Sequence, residues 1–370
     1  MKKIKIGFVG VGNISGIYLK NLTEMFKEVE IIGVCDLIRE RAEKAVEEYH
    51  IPKLYNDMYE LFEDPEVDIV LNITRPYQHY EVTKQALLHG KHVYSEKPLS
   101  PSLDEAKELV ALAKEKGLML GGAPDTFMGA AIQTCRHLID SGFIGTPIGA
   151  CARMVSRGPE SWHPDPECFY QYGGGPLFDM GPYYVTALIN LLGSVDCVSG
   201  MTGISYPTRT ITSEKKFGSH VDVEVPTYVM GTMRFQNGAI ANLFMTFDVT
   251  NLHPGENLEI FGSEGSLVVP DPNCFEGEII LKRGRETESV TMPMIYPYGG
   301  NSRGLGIADM AKALVTGREF RANYEQQLHV VEVMSAFYTS SDKNEFVKIE
   351  SEFTRKAPMV RTDIVGILED

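Results

Sequence analysis

Three stretches of this chain carry residue types that do chemistry at close spacing. Residues 173–188 read GGGPLFDMGPYYVTAL, with the carboxyl of Asp179 and the phenol of Tyr183 four residues apart. On a helix that spacing places both on one face. A carboxylate beside a phenol suits proton transfer at an alcohol oxygen. The plainer reading is a helix start, with Asp179 as its cap, Pro182 in its first turn, Gly193 at its end and Tyr183 packed on the apolar face. Just upstream, SWHPDPECFYQY (161–172) reads as a Pro-rich aromatic loop of the kind that faces substrates, with His163 as a second acid/base candidate and Tyr172 beside the glycines. The third stretch is IKIGFVGVGNIS (4–15), a strand entering a glycine turn. Gly10 permits the tight turn and Gly12 lets the backbone approach a pyrophosphate. The helix opening after Asn13 and Ile14 offers unpaired N–H groups and a positive dipole end. Asp36 ends the next apolar strand at the distance expected of a ribose-binding acid, which favours NAD, although Arg39 and Arg41 lie close enough to leave NADP open.

The elements that must position these residues follow from hydrophobic rhythm. Through the first third, short apolar runs (KIKIGFVG, EVEIIGVCD, VDIVLNIT, KHVYSE, LMLGG) alternate with helical patterns over 37–49, 79–89 and 102–116. Continuous apolar strands alternating with helices predict a doubly wound parallel sheet. Near residue 123 the rhythm changes. A helix over 130–140 precedes longer alternating runs, VDVEVPTYVMGTMRF and AIANLFMTFDV, joined at Asn237-Gly238, and then the hairpin-like LEIFGSEGSLVV. Helices over 303–316 and 324–338 follow. The fold expected is α/β: a Rossmann domain over 1–122, then an α+β domain over 123–370 with an open, largely antiparallel sheet.

Bulk properties narrow the partners. A net charge of −15 opposes nucleic acid and anionic membrane surfaces. The six cysteines (35, 135, 151, 168, 197 and 274) show no zinc-like spacing, so reduced thiols, a cytoplasmic location and no metal are expected. The opening MKKIKIGFVGVG reads as a strand and turn rather than a signal peptide.

TRPYQHY (74–80) followed by GKHVYSEKPLS (90–100), with GGGPLFDMG (173–181) and EGSL (264–267) further on, resembles the Gfo/Idh/MocA oxidoreductases along nearly the whole chain. The resemblance implies an active site in a cleft between two domains and a homodimer or homotetramer formed through the C-terminal sheet. Carried over by position, it implies that Thr74, Pro76 and His79 line the nicotinamide-ribose side. It places Glu96 and Lys97 at the ribose and reacting carbon, with Pro98 fixing their geometry. The family pairs the EKP lysine with an Asp and a His four residues later; here those positions hold Lys97, Asp179 and Tyr183. Tyr183 then moves the proton, Lys97 lowers its pKa and donates to the substrate oxygen, and Asp179 orients Lys97 or binds a second hydroxyl; His163 and Lys97 stay open as proton carriers. The activity implied is hydride transfer between a nicotinamide cofactor and a hydroxyl or ketone of a sugar, cyclitol or polyol. The alternatives are an NAD-cycling glycosidase with no net redox change and a non-catalytic NAD(P) sensor.

Overall fold

The computed structural model describes residues 3–250, 257–285 and 288–368; Met1 and Lys2 of the expected opening strand lie outside these. The chain forms two compact units, residues 3–130, 295–328 and 356–368 in the first and 131–294 with 329–355 in the second.

The first unit holds a six-stranded sheet of β1 (Ile4–Val9), β2 (Val29–Cys35), β3 (Lys53–Leu54), β4 (Ile69–Asn72), β5 (His92–Ser95) and β6 (Leu120–Gly122). Its order is β3-β2-β1-β4-β5-β6 and every pairing is parallel. Ile6, Phe8, Ile69, Val70, Leu71 and Val93 are fully enclosed, as the unbroken apolar runs require of strands covered on both faces. Helices α1 (Ser15–Glu24), α2 (Arg39–Tyr49), α3 (Met58–Glu63), α4 (His79–Leu88) and α5 (Leu103–Lys116) make the crossovers. Local signals set their ends: Ser102 accepts from the Glu105 N–H at the start of α5, and left-handed Gly117 stops it. The two-residue β3 and the six-residue α3 are too short for periodicity to announce. Asp57 gives α3 its cap by accepting from Tyr59 and Glu60.

The expected division at 122/123 is a single cut, whereas the first unit also takes in 295–328 and 356–368. Polar contacts between distant segments do this. Asp125 accepts from Gly304 and Gly306, at the start of the helix Leu305–Thr316. Asn21 donates to the carbonyls of Asn301 and Arg303, and Gln327 to that of Gly122. Near the chain's end, the Leu368 N–H reaches Glu28.

In the second unit, helix α6 (Ala130–Asp140) leads into β7 (Pro147–Val155), and α7 (Gly175–Leu192) precedes β8 (Val195–Gly203). There follow β9 (Thr208–Thr210), β10 (His220–Asp222), β11 (Tyr228–Phe235), β12 (Ile240–Thr246), β13 (Leu258–Gly262), β14 (Gly265–Val269), β15 (Ile279–Arg283), β16 (Val290–Met292) and β17 (Val347–Lys348). Nine of these strands make one sheet, β16-β15-β14-β13-β7-β12-β11-β8-β17, antiparallel except where β7 meets β12. The Asn237-Gly238 hairpin forms as its residues dictate, Gly238 being left-handed and Asn237 accepting from Ala239. The run VDVEVPTYVMGTMRF does not form one strand. Pro226 cannot donate to a ladder, so β10 ends at Asp222, pairs only with β9 in a separate ribbon, and β11 starts at Tyr228.

Candidate active site

At the carboxyl end of β1, Gly10 adopts φ 97° and a Cβ there would lie 2.7 Å from the Ile73 carbonyl, so only glycine serves. Gly12 is the opposite case: a Cβ would meet nothing within 4 Å, and Gly12, Asn13 and Ile14 are exposed. Behind this lip α1 begins without a side-chain cap or an acid in its first turn, leaving its positive end open. Asp36 is doubly tied, accepting from Val11 at 2.5 Å through Oδ2 and from Ile38 at 2.7 Å through Oδ1. It therefore fixes the turn as well as presenting charge. Arg39 is engaged by Glu43 and Asn56. Room at Gly12, an uncapped helix start and a carboxylate on the neighbouring strand fit a dinucleotide.

Across the switch point, β4 and β5 deliver the second group. Asn72 is buried and organises the loop after β4: its Oδ1 accepts from the Thr74 N–H and hydroxyl, and its Nδ2 donates to the His79 carbonyl and Thr83. Thr74 and Pro76 are half-buried in that loop. His79 is 1% exposed, with Nδ1 2.7 Å from the Pro98 carbonyl and Nε2 3.1 Å from the Thr74 carbonyl. A neutral ring carries one N–H and donates to one of these two carbonyls; packed between them, His79 joins the two loops. Burial pushes its pKa down while the two carbonyls favour its charged form.

Glu96 is likewise turned inward. Its Oε1 accepts from the buried Tyr18 hydroxyl at 2.7 Å and its Oε2 from the Lys97 N–H at 2.9 Å. Burial, reinforced by Glu96, raises the Tyr18 pKa and keeps that phenol a donor. Glu96 is thus an anchor beneath the turn. The Lys97-Pro98 peptide is cis and Lys97 is half-buried. Nothing in the sequence marked Tyr18 or Asn72, because their roles arise from segments far apart in the chain. The G-x-G and EKP spacing marked only the groups they serve.

In the second unit α7 begins at Gly175 with Pro176 in its first turn and Gly174 before it, without a side-chain cap. The capping reading of Asp179 therefore fails: the residue lies one turn inside the helix, half-buried. Pro182 is interior rather than in the first turn, and leaves the Phe178 carbonyl without its helical donor. Gly193 ends the helix as expected. Tyr183 is buried to 8% exposure, four residues from Asp179 on the same face. In the preceding loop His163 is half-buried, and its Nδ1 accepts from the Asp165 N–H at 3.1 Å. The neutral ring then carries its proton on Nε2, which makes that nitrogen a donor rather than a base. Its ring packs between Trp162 and Phe169, while Tyr172 is exposed. Among the described residues no cluster of three or more His, Cys, Asp or Glu is placed to hold a metal.

A parallel sheet in this order, with an open glycine turn at its switch point, defines a dinucleotide-binding protein of the Rossmann class. Comparison with known proteins makes the assignment particular. Residues 4–122 match the model of an oxidoreductase family with an NAD-binding Rossmann fold, and residues 132–268 match the GFO/IDH/MocA C-terminal domain. A 1,5-anhydro-D-fructose reductase of Ensifer adhaerens is 31% identical over 243 residues, 65% of this chain and 68% of that protein. A myo-inositol 2-dehydrogenase of Thermotoga maritima is 25% identical over 279 residues, 75% of this chain and 78% of that protein. A levoglucosan dehydrogenase solved with NADH and L-sorbose shares the fold at TM-score 0.80 and 21% identity, covering 95% of this chain and all of that one. The chain belongs to the Gfo/Idh/MocA oxidoreductase family and carries its NAD-binding domain.

Proposed function

We propose that this oxidoreductase moves a hydride between NAD and a secondary hydroxyl or ketone of a sugar, cyclitol or related polyol. The observation that carries the reading is Lys97, set at the carboxyl end of β5 by Glu96, Tyr18 and His79, where Rossmann sheets receive their cofactor. The glycine turn, Asp36 and the lip of Asn13 and Ile14 hold the dinucleotide, with Thr74 and Pro76 on the nicotinamide side. When bound, the nicotinamide supplies a hydride acceptor or donor. Tyr183 takes or returns the hydroxyl proton. Lys97 favours the phenolate and donates to the substrate oxygen, and Asp179 orients Lys97 or binds a second hydroxyl. His163 offers its Nε2 proton to a neighbouring substrate oxygen, and Tyr172 lines the same loop.

Assay of the purified protein against myo-inositol, levoglucosan, 1,5-anhydro-D-fructose and a panel of aryl glycosides tests this. Net NADH formation from a polyol, or consumption by a ketose, is expected. Turnover should favour NAD over NADP by at least about tenfold, since Asp36 opposes a 2′-phosphate and Arg39 is engaged elsewhere. Sugar release from a glycoside with no net change in NADH would overturn the dehydrogenase reading. NAD binding without turnover of any substrate would support the sensor.

The second unit also presents an apolar sheet face. Met201, Met230, Phe244 and Ile240 point away from the buried set of Val198, Val229, Leu243 and Ala241, and Met201 is 77% exposed. An apolar row of this kind across adjacent strands is costly to leave in water. We assign it to a second copy of the chain, in a dimer or tetramer. Sedimentation should show an oligomer that Met230→Glu with Ile240→Glu converts to monomer; a wild-type monomer at all concentrations would exclude it. Among the described residues no helix is long and apolar enough to cross a membrane, and all six thiols are unbridged. These features support a cytoplasmic protein.

A further inference from the structure

Arg209 is a buried cation of the second unit with several partners. It projects from β9, in the small β9–β10 ribbon, and is 9% exposed. Its Nε meets Glu160, its Nη1 lies 2.8 Å from Asp248 Oδ1, and its Nη2 donates to the carbonyls of Arg157 at 2.7 Å and Phe247 at 2.9 Å. Arg209 Cζ lies 5.4 Å from the centre of the Tyr170 ring and 5.3 Å from that of the Tyr206 ring. Asp248 is held in turn by the Thr227 hydroxyl. Three of these contacts, to Arg157, Glu160 and Tyr170, are with the loop 157–172, and the Glu160 carbonyl, which accepts from Thr212 and Ser213, ties that loop to the ribbon as well. Gly158, at φ 91°, is where the packing is tightest: a Cβ there would fall 2.3 Å from Glu160 and 2.4 Å from the Tyr170 hydroxyl.

The far end of the ribbon grips the same loop. Lys215 reaches both carboxylate oxygens of Asp165 at 2.9 Å, and Lys216 reaches Asp165 and Glu167. These lysine contacts hold the Asp165 carboxyl down at about 2. Between the two anchor points lie Trp162 and His163, and Trp162 is 66% exposed while its ring rests edge-on against His163 and Phe169.

We propose that the β9–β10 ribbon is a clamp that sets the geometry of the 157–172 loop. Arg209 is its positioning residue, and polyol recognition by His163 and its neighbours acts through it. The proposal rests, for the word recognition, on the dehydrogenase reading above. A planar fork with several donors and two stacking faces is what this site uses, and a lysine supplies neither. The lysine contacts at the tip are exposed and weaken with salt; those of Arg209 are enclosed and do not.

The chain's only tryptophan, Trp162, reports directly on the loop. Arg209→Lys, and separately Lys215→Ala with Lys216→Ala, are made in the full chain and checked for fold by circular dichroism. Acrylamide quenching of Trp162, already 66% exposed, should rise in both variants by less than about twofold. Molar salt should reproduce the tip variant in the wild type. For the polyol that the wild type oxidises best among myo-inositol, levoglucosan and the wider panel, KM should rise about tenfold in Arg209→Lys, with kcat within about threefold and NAD affinity unchanged. Folded variants with unchanged quenching would overturn the clamp, whatever the substrate proves to be. Altered quenching with an unchanged polyol KM would overturn only the link to recognition. If Arg209→Lys does not fold, the tip variant alone decides the clamp, because its lysines are on the surface.

Discussion

Replacing Tyr183 by phenylalanine is expected to lower kcat by roughly 10²–10⁴, the range for removing a general acid/base, with KM for NAD changed little. The phenylalanine keeps the ring that packs in the apolar half of α7, where Tyr183 is buried, so folding should be preserved and the loss confined to one oxygen. His163 is the rival to weigh against it. Its Nδ1 accepts from the Asp165 N–H, and a neutral ring bonded that way holds its proton on Nε2, which favours donation. His163→Asn should therefore cost less in kcat than Tyr183→Phe. The reverse order in stopped-flow hydride transfer would hand the proton to the histidine, and equal rates for wild type and Tyr183→Phe would hand it to Lys97.

Lys97→Met should be at least as damaging, lowering kcat by about 10³ or more, because two interactions vanish together. On the proposed reading, the ammonium that favours the phenolate is lost, and so is the donor to the substrate oxygen. The turn itself should survive. Glu96 grips it through the Lys97 main-chain N–H, Tyr18 holds Glu96, and His79 holds the Pro98 carbonyl, none of which involves the Lys97 side chain. NAD affinity by fluorescence titration should accordingly stay within a few-fold. On the proposed reading the two groups act as a unit, so Lys97→Met with Tyr183→Phe should cost about as much as the worse single variant, within roughly tenfold. Fully multiplicative losses would mean that the two residues serve different steps, and unimpaired turnover in Lys97→Met would end the lysine's assigned role.

Much of this molecule is legible along the chain because the signals are local or strictly periodic. The apolar runs of β1, β2, β4 and β5, the glycine turn at residues 10–12, the Ser102 cap and the Asn237-Gly238 hairpin each depend on a few adjacent residues. Two errors share one cause. Asp179 reads as a cap and Pro182 as a first-turn residue only if α7 starts late, yet Gly174 and Gly175, which resemble a loop, lie at its very start. VDVEVPTYVMGTMRF looked like one strand because alternation continues through Pro226, which breaks the ladder without breaking the pattern.

What the sequence determined by itself is most of the elements and the family; the glycine turn, Asp36, Lys97, Asp179 and Tyr183 are the groups its motifs single out for the proposed chemistry. Tertiary structure alone decided which neighbours those groups answer to. Glu96 is tied to Tyr18 from α1, and His79 packs between the carbonyls of Thr74 and Pro98, contacts that motif position does not announce. Arg209 looks like any strand arginine until Glu160 and Asp248, dozens of residues away on either side, converge on it. A buried charge or ring must find partners wherever the fold supplies them, and spacing along the chain carries no record of which segments will come together.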